Sequence, residues 1–159
     1  MTSDSLQRFE TIAREAQKYS IHISEEAEEL HPFDERNIHP AIATVSKALF
    51  DDGHYAQATF EAYKYIDKEV QTLSHLSESG FKLMMNAFNE SAAKIKLTRL
   101  SNQSEVDEQQ GYKHIFSGAA MAIRNPRGHE HSLKEAPDEC LDHLSLASLL
   151  KRKLNERIV

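Results

Sequence analysis

The sequence is poor in residues that break helices, with only 5 glycines and 4 prolines among 159 residues. Alternating runs of Val, Ile and Thr, the mark of half-buried strands, are scarce as well. Helix is therefore the expected element. The single cysteine, Cys140, excludes an internal disulfide and a cysteine zinc cluster, and it suits a reducing compartment. No stretch approaches the ~18 consecutive apolar residues of a membrane span. Residues 1–10 lack the basic start and apolar run of a secretory signal. A cytoplasmic protein with no membrane partner is expected. Excess positive charge is missing too: the net charge is −6 with nine His counted neutral. That argues against broad, charge-driven nucleic-acid binding but leaves room for a small basic site.

The sequence has enough apolar material for a core. Hydrophobic residues make up 40% and charged residues 28%, and the length suits one domain plus a short extension. From Gly111 to Glu135 the local balance opposes the global one. Lys113, Arg124, Arg127 and Lys134 stand against Glu130 and Glu135, with His114, His129 and His131 among them.

Residues 3–19 pattern as an amphipathic helix, with Leu6, Phe9, Ala13 and Ala16 on one face. Residues 20–40 carry an acidic run, Pro32 and Pro40, and read as a linker with a possible capping box at Ser24. The division expected is an N-terminal helix and linker over 1–37 and a helical domain over 38–159. In that domain Pro40 can open a helix that Gly53 closes. A second helix spans about 54–73, with Tyr55, Ala58, Ala62, Ile66 and Val70 on its apolar face and Phe60, Tyr63 and Asp67 beside it. Gly80 opens a short apolar helix through Phe88, which reads as core. Residues 94–102 are an irregular connection or a helical turn. A helix over 105–124, broken or started near Gly111, puts Ile115, Ala119 and Ile123 in register, and Pro126 should stop it. The last helix runs from Pro137 to about Leu154, ending in the basic Lys151, Arg152 and Lys153.

The chemistry concentrates in Arg124-Asn125-Pro126-Arg127-Gly128-His129-Glu130-His131. Arg124 ends a helix, a Pro/Gly turn follows, and His129 comes next. Arginine is a permanent cation whose fork matches phosphate oxygens. Histidine exchanges protons near neutrality. Together they are the minimum for acid–base work on a phosphodiester. An ordinary structural role is also open to them. A cation in a helix's last turn gains about 0.3–1 kcal/mol from the macrodipole alone, and Asn-Pro and Arg-Gly are common in turns.

Arg124-Asn125 followed by His129 resembles the R-x(4–6)-H motif of the HEPN superfamily. The ordered set around it is similar to the HEPN-related family labelled Ymh. That set comprises His39-Pro40, Leu49-Phe50, Gly53-His54-Tyr55, Glu61-Ala62, Gly80, Leu83-Met84, Gly118-Ala119, Ile123 to Pro126, His129 and Leu144 to Leu150. The likeness covers roughly residues 38–155. It implies an all-α HEPN-like bundle that dimerises, with two Arg/His pairs facing across a two-fold axis and metal-independent RNA cleavage without a cofactor. Many relatives act in toxin–antitoxin or anti-phage defence systems, so an antitoxin or defence-system partner is implied as well; others only bind. By motif position, Arg124 stabilises phosphate charge, His129 moves protons, and Asn125 orients the pair or hydrogen-bonds the phosphate. Arg127 and His131 are candidates for binding RNA. Pro126 departs from the motif, and His131 leaves the identity of the catalytic imidazole open.

Two other readings stand beside this one: a non-catalytic HEPN-like module that binds a nucleotide or partner, and a helical interaction subunit. A metal site at His129 and His131 is disfavoured, because i,i+2 histidines converge readily only on a strand and no further ligand is evident. Cys140 sits near a helix start, where a thiol can be activated, although a buried structural cysteine is commoner.

Overall fold

Proline 40 opens a helix because its fixed φ suits the first turn and its missing N–H has no partner there to lose. In the computed structural model, which describes residues 3–25, 30–130 and 133–158, that helix is α3 (Pro40–Asp51). His39 Nδ1 caps it by accepting the Ala41 N–H at 3.1 Å. Gly53, at φ +78°, makes the reversal that follows.

The chain forms two compact units, Met1–His31 and Pro32–Val159. The first contains α1 (Ser3–Glu25), on which Leu6, Phe9 and Ile12 are exposed. The second is all-helical, and its first element is α2 (Pro32–Glu35). Phe33 and Ile38 are buried, and Phe33 packs on Phe50 with ring centroids 5.3 Å apart. The core of this unit thus takes in residues from the segment that reads as linker.

At the centre lies α4 (Tyr55–Ser74), which packs against α3, α5 (Gly80–Ala87) and α8 (Pro137–Asn155). Its predicted stripe, Ala58, Ala62, Ile66 and Val70, is buried. Leu144, Ala147, Leu150 and Leu154 of α8 are buried as well. Phe88 stacks on Phe116 at 4.5 Å, and burying each such ring contributes about 1.5–3 kcal/mol.

Residues 88–102 take the irregular course. The fully buried Gln109 secures them: its amide accepts the Leu97 N–H at 2.8 Å and donates to the carbonyls of Phe88 and Ile95 at 3.1 and 3.0 Å. Among the described residues there is no strand, and the pairing of Lys96 with Ile158 is an isolated bridge. No helix among them is long and apolar enough to cross a membrane.

Two local expectations fail around α6 (Gln103–Ala119). Gly111 neither breaks nor starts it. The helix starts eight residues earlier, where Asn102 Oδ1 accepts the Glu105 N–H at 3.0 Å. Ala119 and Ile123 are buried as expected, but Ile115 is 42% exposed, and the buried face also carries Gln109, Phe116 and Ala120. The polar Gln109 and Lys113 belong to that face, so an apolar count along the helix misses part of it.

Nor does Pro126 end the helical path. A π-turn over Ala120–Arg124 leads directly into α7 (Asn125–His129). The Asn125 N–H reaches back to the Ala120 carbonyl. In an unbroken α-helix the proline ring would clash with the carbonyl four residues earlier. The wider turn instead makes Pro126 an early residue of a new helix, where it is tolerated. Gly128 is needed for packing and not for a turn: a Cβ there would lie 2.8 Å from Phe60 Cε2.

Candidate functional site

Arg124 closes the π-turn with its side chain 23% exposed. Its Nη1 donates to Asn125 Oδ1 at 3.2 Å. Its Nη2 lies 3.9 Å from Asp67 Oδ2, too far for a hydrogen bond. The guanidinium carbon sits 6.0 Å from the centroid of the Phe60 ring. Nε is buried without a partner. Arg124 is therefore held from several sides while much of its donor capacity remains unspent.

His129 ends α7 and is exposed, and its imidazole takes part in no hydrogen bond among the described residues. The expected Pro/Gly turn, which would fold His129 back onto Arg124, is absent. The two lie on consecutive helical turns, roughly 140° apart around an α-helical axis. No hydrogen bond joins them. His131 lies outside the described residues.

An open cleft of about 540 Å³ borders this end of α7. Glu130, Arg127, His54, Gln57 and Lys134 are among the residues lining it.

Arg127, a candidate for RNA contact, is engaged elsewhere. Its side chain is 5% exposed, and Nε donates to Glu135 Oε2 at 2.8 Å. Nη1 donates to the Ile123 carbonyl at 3.0 Å and Nη2 to Glu139 at 3.5 Å. Glu135 also accepts from Thr59 Oγ at 3.0 Å and from His143 Nδ1 at 2.6 Å. Burial pushes the Glu135 carboxyl up, but the bonds from His143 and Arg127 outweigh it and hold the group below its usual range. Arg127 thus fastens α7 to the start of α8.

Ligand atoms of Glu135, Glu139 and His143 all lie within 4.8 Å of one another, a spacing a metal ion can use. The Arg127 guanidinium is bonded to both of those carboxylates, so a cation already sits between them. Cys140 is fully buried, and burial pushes its thiol up to about 11. That is an inert thiol, not an activated one.

Sequence reasoning did not single out Asp67, Gly80 or Phe60 around Arg124, or the Glu135–His143 pair. A signal existed for Asp67: a carboxylate beside the apolar stripe of a central helix is rarely buried without a partner. Nothing local announced Gly80, since its role depends on an arginine 44 positions later.

No curated protein and no solved structure matches this chain. Over residues 36–154, most of its length, it matches the family model described as "Protein of unknown function (Hypoth_ymh)", and it belongs to that family.

Proposed function

We propose that this protein is a metal-independent endoribonuclease of HEPN type, acting as a homodimer in a toxin or anti-phage defence setting. The observation that carries this reading is the state of Arg124. It is partly exposed and lacks a close salt bridge, it keeps a buried Nε without a partner, and an exposed imidazole follows one turn later. Such a guanidinium is fit to hold a phosphate, whereas the neighbouring Arg127 is committed to Glu135.

In the reaction, His129 or its counterpart in the second copy takes the proton from the RNA 2′-hydroxyl. The 2′-oxygen attacks the adjacent phosphorus as the bond to the 5′-oxygen breaks. The imidazolium so formed, or that of the other copy, gives a proton to the 5′-oxygen, leaving a 2′,3′-cyclic phosphate and a 5′-hydroxyl. Arg124 stabilises the non-bridging oxygens, and Asn125 steadies Arg124 through its 3.2 Å bond.

The dimer is supported by one face of α6. Gly111 and Gly118 are exposed there, and a Cβ on either would meet nothing within 4 Å. Each costs about 1 kcal/mol of helix stability relative to Ala, and no contact within the protomer requires that cost. Ile115 on α6 is exposed with them at 42%, and Met121 in the π-turn that follows at 53%. A second copy approaching closely along this face would account for the glycines and bring a second Arg/His pair near the first.

A non-catalytic module is the second reading, favoured by the absence of any bond that fixes His129 relative to Arg124. Incubating the pure protein with mixed RNA and mapping the cut ends separates the two. The endoribonuclease leaves cyclic phosphates, Arg124→Ala or His129→Ala loses at least about 10²-fold, and His131→Ala keeps most activity. Cleavage also persists in EDTA, because a guanidinium sits among the acidic groups a metal would need. Intact RNA, or equal cleavage by an Arg124→Ala/His129→Ala variant, ends the catalytic reading. Activity lost in EDTA and restored by a divalent ion ends the metal-independent one.

A further inference from the structure

A carboxylate buried in the middle of a central helix needs a reason. Asp67 is 2% exposed on α4, between the core residues Ile66 and Val70. Its Oδ1 accepts the Gly80 N–H at 2.7 Å. Its Oδ2 faces the Arg124 guanidinium at 3.9 Å. Gly80 adopts φ +61°, a conformation other residues reach only with strain. The nearest atoms to a Cβ placed there would be Arg124 Nη1 and Asn125 Oδ1, both at 3.8 Å. One acid, one left-handed glycine and the motif arginine therefore meet at a single point, drawn from α4, the start of α5 and the π-turn.

We propose that Asp67, oriented by the Gly80 N–H, is the positioning residue that sets the Arg124 guanidinium for its anionic ligand. The Gly80 bond fixes one carboxylate oxygen and so aims the other. The aimed oxygen stands far enough from Nη2 to orient the guanidinium without using up its donors. Charge on the carboxylate, and not its shape, does the orienting. The proposal rests on the reading of Arg124 as the phosphate-holding group, but its structural half is testable without RNA cleavage.

The informative substitution is Asp67→Asn. It keeps an oxygen for the Gly80 N–H and turns an amide N–H₂ toward a guanidinium that can only donate. Two readouts decide. The first is the ¹⁵N NMR signal of Arg124 Nε–H, which should be sharp and slowly exchanging in the wild type and lost or shifted in Asp67→Asn. The second is RNA cleavage, where kcat should fall about 10- to 100-fold with KM little changed, as expected for a misplaced group. In an Arg124→Ala background, Asp67→Asn should then cost nothing more.

An unchanged Arg124 signal overturns the proposal whatever happens to cleavage. A wild type that leaves RNA intact, yet shows the Asp67-dependent signal, defeats the ribonuclease reading and spares the positioning one. Where Asp67→Asn alone fails to fold, the doubly neutral Asp67→Asn/Arg124→Met variant folds if the two residues are a charge pair. Its failure as well would assign Asp67 to the core alone and overturn the proposal.

Discussion

Arg127 Nε and Glu135 Oε2 lie 2.8 Å apart, with their side chains 5% and 0% exposed. The pair sits within a few residues of Arg124 and His129, yet it does the opposite of catalytic work. Its opposite charges match each other, so it anchors the segment between α7 and α8. Of two arginines three positions apart in one motif, one is thus committed to an internal ion pair and the other is not.

Replacing Arg127 by Ala should destabilise the fold by about 3–5 kcal/mol, because it leaves Glu135 buried without its cation. Urea unfolding measures this directly. A midpoint within error of wild type would show that the ion pair carries no structural weight.

The same pair predicts an acid limit. The Glu135 carboxyl is held below its usual range in the folded protein, so the unfolded chain binds its proton more readily. The stability it contributes is therefore full above the unfolded carboxyl value, near 4.3. It is lost as pH falls through the lower folded value. Urea midpoints taken from pH 7 down to pH 3 should drop more steeply for wild type than for Glu135→Gln. Parallel curves would contradict the assignment.

Much of the helical framework was readable because it rests on local chemistry. Pro40 and Gly53 bracket α3, and the stripe from Ala58 to Val70 marks α4. The unit boundary and the core face of α6 were less readable. Phe33 is buried far from any periodic pattern, and Gln109 and Lys113 put polar residues on the buried side. At the candidate site, Arg124, Asn125 and His129 stand out by residue type and spacing. Their setting does not, since Asp67 and Gly80 reach Arg124 only through tertiary packing. Pro126 reads as a stop signal because a π-turn leaves no mark of its own in composition.

Gly118 allows a test with two opposite signs. Ala at this position should stabilise the isolated protomer by up to about 1 kcal/mol, since the helix gains propensity and a Cβ meets open space. A larger Leu should leave the protomer folded and push the proposed dimer toward monomer in sedimentation at micromolar concentration. A Gly118→Leu protein that associates as wild type does would remove this face from the interface.

Gly128 should tolerate far less. Its Cβ would come within 2.8 Å of Phe60 Cε2, so Gly128→Ala should cost about 1–3 kcal/mol through overpacking. Thermal unfolding reads the loss, and Phe60→Leu in the same chain should recover part of it. Full stability in Gly128→Ala alone would mean that α7 is not pressed against α4.

The π-turn between α6 and α7 also acts as a phase shifter. In an uninterrupted α-helix, residue 129 would stand eleven positions beyond residue 118, only about 20° away around the axis. It would then point along the same line as Gly111 and Gly118. The extra residue in the turn swings everything after it by roughly 100°. His129 is thereby carried off the line on which a second copy would lie. In the proposed dimer the imidazole would therefore stand beside the Gly111–Gly118 line and not on it. Deleting Ala122 would let the helix run through without the π-turn and keep His129 at the phase it now has, because ten α-helical steps from Gly118 turn as far as eleven with one absorbed in the π-turn.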